Sequence, residues 1–307
     1  MKSKTSKISK ASKNKMHSGY AAIVGRPNVG KSTLLNSLVG EKISIISPKP
    51  QTTRWQILGI KTTADAQIIY IDTPGLNYQE KHAMNRYLNR VASSVLTDAD
   101  VILFMIDATE WDREDELVLK KLQNTTKPVI LVLNKVDLIK DKADLLPLID
   151  KLKNKFPFAQ IIPLSAKQAE NIDALEKEII ALLPKGPLLF PEDQRTDKSV
   201  RFQIAEIIRE KLICDTEEEL PYTTAVEIEQ FQENEKLIEI GVVIWVERQG
   251  QKIIVIGKGG ARLKKIGIAA RREIEKLVNK KVFLRLWVKV KEHWTDDERA
   301  LKSLGYE

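Results

Sequence analysis

An α/β domain on a mostly parallel sheet with helices on both faces, followed by a smaller α+β domain, is the architecture this sequence predicts. Three observations predict it. From Tyr20 to Leu183 short apolar runs alternate with stretches of helical periodicity, as strand–helix–strand crossovers require. Pro184-Lys185-Gly186-Pro187 then stops the last helix, and an aperiodic stretch runs from Pro191 to Thr196. Beyond that break the pattern changes to a helix, an alternating strand, a more apolar strand, a glycine-rich loop, a helix and a strand. A chain of 307 residues has room for about two domains, each with its own core.

The elements follow in order. Residues 1–16 hold six lysines, four serines and no acid, and read as a disordered basic tail through residue 17 with a weak attraction for RNA or anionic lipid. Strands are expected at 21–24, 56–62, 67–71, 101–106, 129–133 and 160–164. Helices are expected near 31–39, 82–96, 113–123, 144–156 and 171–183. These bound a first domain at 18–184 and a linker at 185–199. Val200 to Cys214 is an amphipathic helix with Phe202, Ile204, Ala205, Ile208 and Leu212 on one side, and Cys214 is expected to pack there. Thr223 to Phe231 and Ile238 to Val246 read as strands, Ile253 to Ile256 is too short to assign, Arg262 to Leu277 is helical, and Val282 to Val290 alternates as a last strand. Trp245, Phe283 and Trp287 are expected in the core. The second domain thus spans 200–291, with 292–307 left for a C-terminal helix.

Composition removes several classes. The single cysteine, Cys214, excludes an intramolecular disulfide and suits a reducing compartment. No apolar run approaches the ~20 residues that span a bilayer, and no signal-peptide core is present. His82 and His293 have no partners at metal-ligand spacing, so no protein zinc site is expected.

Chemistry enters at Gly25-Arg26-Pro27-Asn28-Val29-Gly30-Lys31-Ser32, with Thr33 next. Gly, four residues, then Gly-Lys-Ser between a strand and a helix is the phosphate-cradling P-loop pattern. Its glycines admit the phosphates to the backbone, amide N–H groups at the helix start point at them, and Lys31 adds a charge. Asn134-Lys135-Val136-Asp137 decides the base, because the Asp137 carboxylate can accept from both guanine N1–H and the N2 amino group, whereas adenine offers no such pair of donors. Asp72-Thr73-Pro74-Gly75 ends another strand, where the aspartate can hold Mg²⁺ through water and the Gly75 N–H can sense the γ-phosphate. Ser165-Ala166-Lys167 suits a backbone loop over the base. Together these read as a GTP site.

Charge points to a second ligand. Residues 215–247 carry ten acids and one base, Lys236, whereas residues 248–291 carry fourteen Lys or Arg and only Glu273 and Glu275 as acids. The net charge of +8 and this division suggest one face built for a polyanion. Within the basic stretch, Gly257-Lys258-Gly259-Gly260 fits the loop with which KH domains clamp a nucleic-acid strand along its backbone, and Arg262, Lys264 and Lys265 follow as candidate phosphate contacts. The element order matches the type II KH topology.

With both halves in view, the chain closely resembles the Era family of GTPases from Gly19 to Tyr306. The match includes the motifs above, Pro50-Gln51-Thr52-Thr53-Arg54, Leu76 after Gly75, and the ending Asp296 to Tyr306. The resemblance implies a cytosolic assembly factor for the small ribosomal subunit that grips the 3′ end of its RNA, with some association at the inner face of the membrane; DNA is not an expected partner. It implies Lys31 across the β- and γ-phosphates, Ser32 as direct Mg²⁺ ligand, and Thr53 completing the metal shell from a loop ordered by γ-phosphate, so that Lys31, Thr53 and Gly75 are the catalytic candidates. Leu76 stands where Ras-like enzymes place a glutamine and cannot orient water, which implies slow intrinsic hydrolysis. Asn28 is a candidate K⁺ ligand, since GTPases with asparagine here resemble potassium-activated ones. Two other classes compete. A signalling or membrane-associated GTPase recruiting protein partners is disfavoured by the basic stretch and glycine loop, and a P-loop kinase for a small acceptor is disfavoured by Asn134 to Asp137.

Overall fold

A computed structural model describes residues 16–50, 52–75, 83–216, 220 and 223–306. The first domain contains β1 (Met16–Val24), α1 (Lys31–Val39), β2 (Ile57–Thr62), β3 (Ala66–Asp72), α2 (Ala83–Asp98), β4 (Val101–Asp107), α3 (Arg113–Leu122), β5 (Val129–Asn134), α4 (Leu145–Lys153), β6 (Gln160–Pro163) and α5 (Ile172–Leu182). The sheet order is β2-β3-β1-β4-β5-β6, parallel except for β2 at the edge. Its strands are apolar without a break because both faces are buried. Ala21, Leu103 and Val132 pack on one side with α1 and α5. Ala22, Phe104 and Leu131 pack on the other with α2, α3 and α4. Every parallel strand then delivers its carboxyl end to the same rim.

Two expectations about this half change. β1 begins at Met16, so residues 16 and 17 belong to the sheet and not to the tail; His17 Nδ1 shares a hydrogen bond with Leu183 O at 2.8 Å. Residues 1–15, the rest of the expected tail, lie outside the described residues, as do Gln51, Leu76 and His82. The stretch after α5 is strapped to the sheet. β7 (Lys185–Gly186) pairs antiparallel with β1, and the Gln67 side chain accepts from the N–H groups of Leu189 and Phe190.

The second domain contains α6 (Val200–Asp215), β8 (Ala225–Glu233), β9 (Leu237–Val246), α7 (Gln249–Ile256), α8 (Ala261–Val278) and β10 (Lys281–Val290). Its sheet runs β10-β9-β8, with β10 and β9 parallel and β8 antiparallel. The run at Ile253 to Ile256, unassigned from sequence, is the end of α7. The helices cover one face only, burying Ile204, Val242, Ile266 and Val282. Phe283 and Trp287 occupy the other face, 50% and 43% exposed, and so are not core residues. Alternation along β10 assigned these aromatics to a face, and only the absence of a covering helix exposes them. Cys214 is likewise exposed, at the end of α6.

The expected C-terminal helix is shorter than its segment, reduced to α9 (Glu298–Ser303) with an Asp297 N-cap. Trp294, Leu301 and Tyr306 join Tyr87 and Leu88 of α2 in a cluster that seals the two domains together. No helix of the described residues is long and apolar enough to cross a membrane.

Candidate functional site

The turn from β1 into α1 builds the phosphate end. Gly30 sits at φ 105° as the N-cap of α1, and a Cβ there would stand 2.4 Å from Asn134 Nδ2, so only glycine fits. No side chain caps this helix, which leaves its first N–H groups for an anion. Lys31 Nζ donates to Gly25 O at 3.0 Å and Arg26 O at 2.8 Å, folding the ammonium back over the loop. Burial pulls its pKa down to about 8 against the attraction of Asp72.

Next to it lies a cluster of hard oxygens. Ser32 Oγ donates to Asp72 Oδ2 at 2.7 Å and lies 2.8 Å from Thr53 Oγ1. Ser44 Oγ, unforeseen from sequence, donates to the same Asp72 oxygen at 2.9 Å. Asp72 Oδ1 is buried without a partner among the described residues, and burial raises the carboxyl pKa despite the hydroxyls. An orphaned carboxylate oxygen beside two hydroxyls fits a hard divalent cation such as Mg²⁺, which takes oxygen ligands. Gly75 closes this end against Pro27, whose ring carbon a Cβ would meet at 2.9 Å. Asn28, at φ 63°, donates its amide to Pro48 O at 3.1 Å and ties the P-loop to the following loop.

The base end comes from β5 and the turn after β6. Asn134 is a brace, its Nδ2 donating to Val29 O at 2.7 Å while its Oδ1 accepts from Ala166 N–H at 2.9 Å. Asp137 accepts from Ser165 Oγ at 2.6 Å and keeps its other oxygen for a ligand. Lys135, at φ 67°, pairs with Asp107 at 2.7 Å; the burial of Asp107 favours its neutral form, yet Lys135 and Thr109 hold its pKa below the ordinary value. A cavity of about 590 Å³ joins the ends, lined by Pro27, Asn28, Gly30 to Thr33, Thr53, Gly75, Asn134, Lys135, Asp137 and Lys167.

Four candidates turn away from it. Arg26 pairs with Asp115 of α3 at 3.2 Å, Val29 is buried core, Thr73 Oγ1 donates to Ile23 O at 2.9 Å, and Val136 is buried.

The glycine loop of the second domain lies between α7 and α8. Gly257 is at φ 74° with Arg262 Cβ 2.7 Å from where its own Cβ would be, so the turn needs glycine; Gly259 and Gly260 are also at positive φ, in open space. The sheet narrows the expected polyanion face, because part of the basic stretch is paired with acids. Strand pairing brings the acidic stretch beside the basic one, with Lys289 on Glu229 at 2.8 Å, Arg285 on Glu239 at 3.3 Å and Lys280 on Glu233 at 2.5 Å. Arg262 lies 3.6 Å from Asp215 at the end of α6, and Lys265 pairs with the same carboxylate. Among the described residues Lys258, Lys264 and Arg271 have no ion-pair partner, and Lys264 and Arg271 border a groove of about 400 Å³ with Gly267, Ile268, Leu284 and Leu286. Sequence reasoning stopped at Lys265 and missed this groove. Gly267, set inside an otherwise regular amphipathic helix, was its one legible sign.

Comparisons with known proteins agree with this geometry. Residues 20–135 match the family model described as 50S ribosome-binding GTPase, and residues 219–295 match the KH domain model. GTPase Era of Haemophilus influenzae (strain ATCC 51907 / DSM 11121 / KW20 / Rd) is 56% identical over 294 residues, covering 95% of this chain and 97% of its own. GTPase Era of Pseudomonas fluorescens (strain Pf0-1) is 53% identical over 293 residues, covering 95% and 98%. A crystal structure of Era in complex with MgGDPNP and nucleotides 1506–1542 of 16S ribosomal RNA superimposes with a TM-score of 0.92 at 45% identity, covering 95% of this chain and 99% of that one. A variant of Aquifex aeolicus Era bound to GDP and AlF₄⁻ gives 0.92 at 44% identity with the same coverage. With a nucleotide-shaped cleft in front of a KH domain and relatives matched end to end, the chain belongs to the Era family of GTPases.

Proposed function

We propose that the protein is a GTP-hydrolysing, RNA-binding switch of the cytoplasm that grips the 3′-end region of small-subunit ribosomal RNA during assembly of that subunit. The observation that carries this reading is a single cleft lined at one end by Lys31 and Ser32 and at the other by Asp137 and Lys167. The related Era that holds MgGDPNP and a 16S ribosomal RNA segment supports both halves of the reading. In it, residues 18–184 form the GTPase domain, 185–199 the linker, 200–291 the KH domain and 292–307 the closing segment. The lysine-rich start of the chain suits peripheral contact with anionic lipid at the inner membrane face.

Each group then has a task. Lys31 leaves the Gly25 and Arg26 carbonyls for the β- and γ-phosphates, and the uncapped start of α1 receives the phosphate oxygens. Ser32, Thr53 and Asp72 would hold Mg²⁺, which when bound neutralises charge developing on the transferred phosphoryl group. The Gly75 N–H senses the γ-phosphate. Asp137 selects guanine, while Asn134 and Ala166 keep the base loop in place. Asn28 would offer its amide oxygen to a K⁺, which when bound would supply positive charge of the kind an arginine finger provides; equal turnover in K⁺ and Na⁺ would remove that role. Gly257 to Gly260 clamp the RNA backbone, with Lys258, Lys264, Arg262 and Lys265 on its phosphates.

The test is binding of small-subunit ribosomal RNA fragments with GDP and with a non-hydrolysable GTP analogue, beside Gly259→Asp. Tight binding near the 3′ end that responds to nucleotide and vanishes in the variant is expected. Binding indifferent to both favours the competing reading, a GTPase whose second domain recruits protein.

A further inference from the structure

The loop between α1 and β2 carries Thr53, and the second domain holds it. Arg209 of α6 is 2% exposed. Its Nε and Nη2 grip the Glu206 carboxylate at 2.6 and 2.7 Å, and Nη2 also donates to Thr52 O at 2.5 Å. Its Nη1 is buried with no partner among the described residues. A buried ion pair with one unsatisfied nitrogen is a poor device for stability, since well-packed apolar side chains commonly do as well or better. Its position on a single peptide carbonyl of an otherwise irregular loop is the feature that asks for an account.

The other flank of Thr53 is held the same way. Arg54, also 2% exposed, donates from Nη1 to Thr224 O at 2.8 Å and to the Tyr306 hydroxyl at 3.0 Å, both beyond the first domain. Trp55 stacks on Tyr306 with ring centroids 4.2 Å apart. Earlier in the loop, Ile46 N–H donates to Glu210 Oε1 at 3.2 Å. The peptide before Thr53 and the side chain after it are therefore anchored on the C-terminal half, while the Thr53 hydroxyl faces Ser32. A hydroxyl on an irregular loop keeps ligand geometry only if its backbone is held, and a displacement of about 1 Å can cost on the order of a hundredfold in rate.

We infer that Arg209 is a positioning residue for GTP hydrolysis: by holding the Thr52 carbonyl it sets the Thr53 hydroxyl against Ser32 and Asp72, so that the first domain's site is complete only with the second domain docked. The inference rests on the reading of Thr53 as part of the nucleotide site. Arg209 acts through Thr53 and touches no phosphate.

The experiment uses the full chain and two readouts, turnover of GTP and the Mg²⁺ concentration at half-saturation for a bound fluorescent non-hydrolysable GTP analogue. Arg209→Gln should lower kcat about tenfold or more, raise the Mg²⁺ midpoint severalfold and leave GDP affinity unchanged, and Arg209→Lys should restore part of both. Because Arg209→Gln strands Glu206, the double variant Glu206→Gln, Arg209→Gln gives the same reading without a buried lone charge. Thr53→Ala is the reference and should reproduce the Mg²⁺ effect. If Thr53→Ala loses turnover and Mg²⁺ response while the folded Arg209 variants keep both, or change only their thermal midpoint, the inference is overturned. If Thr53→Ala itself keeps both, the assignment of Thr53 fails first and the inference with it.

Discussion

Lys31 and Asp72 of the nucleotide cleft are 6% and 0% exposed and already bonded to neighbouring carbonyls and hydroxyls, whereas Lys258 and Lys264 beside the glycine loop stand in solvent. The cleft is a site of desolvated groups at set distances; the loop is an open backbone with cations around it. The difference follows from the ligands each suits. A triphosphate with a metal ion rewards fixed geometry in a low-dielectric pocket. A single RNA strand is held by close backbone approach and by counterion release, which need no burial. Substitutions should accordingly act through geometry in one region and through charge in the other.

The largest effect should come from Lys31→Met, which removes the only lysine of the P-loop. Affinity for GTP is expected to fall by about 3 kcal/mol, roughly a hundredfold, with RNA binding in the absence of nucleotide retained. Isothermal titration with GTP and with RNA checks both; a matching loss of RNA binding would break the separation. Next is Asn134→Ala. It orphans the Val29 carbonyl and the Ala166 N–H together, and a stability loss of about 1–3 kcal/mol per unpaired group is expected in denaturant unfolding.

Two smaller changes sharpen the contrast. Asp215→Asn releases Arg262 and Lys265, so RNA affinity should rise severalfold and its salt dependence steepen by roughly 0.7 in log–log slope per added phosphate contact, with stability changed by less than about 1 kcal/mol. Filter binding at several salt concentrations decides it. The smallest concerns the ionic bridge between domains, in which Glu273 pairs with Lys42 at 2.6 Å and Lys211 at 2.5 Å. Burial alone would raise the Glu273 pKa, but the two lysines hold it below its ordinary 4.5. Its contribution is therefore present above pH 4.5 and is lost as pH falls through the lowered folded value. With the side chains partly exposed, the contribution is about 1 kcal/mol or less. Thermal melts of Glu273→Gln should show a flatter loss on acidification than the unsubstituted chain.

The parallel sheet, its motif-bearing rim and most element limits were legible because both depend on local order. Apolar runs in a doubly covered sheet have no polar interruption to mislead, and each nucleotide motif is a short peptide whose own turn creates the chemistry, as Gly30 does. Other features misled for a common reason. Phe283 and Trp287 looked like core residues because alternation reports a face without saying whether anything covers it. The charge division at 215–291 hid its own partial cancellation because sequence distance conceals strand pairing, which sets Glu229 against Lys289 and Glu239 against Arg285. Arg209 carried no legible sign at all, since a Glu–Arg pair three apart on a helix reads as an ordinary surface ion pair.

By itself, then, the sequence determined a GTPase domain and a KH-type domain, the nucleotide it selects and the KH-type glycine loop, because these reside in contiguous residues whose backbone and side-chain chemistry act over one turn. The tertiary structure alone decided which cations remain free, which aromatics face solvent, and that Arg209 of the second domain holds the Thr52 carbonyl while the Arg54 side chain is anchored on Thr224. The last of these depends on contacts between residues about 150 or more positions apart, and only packing of complete domains brings such residues within hydrogen-bonding distance.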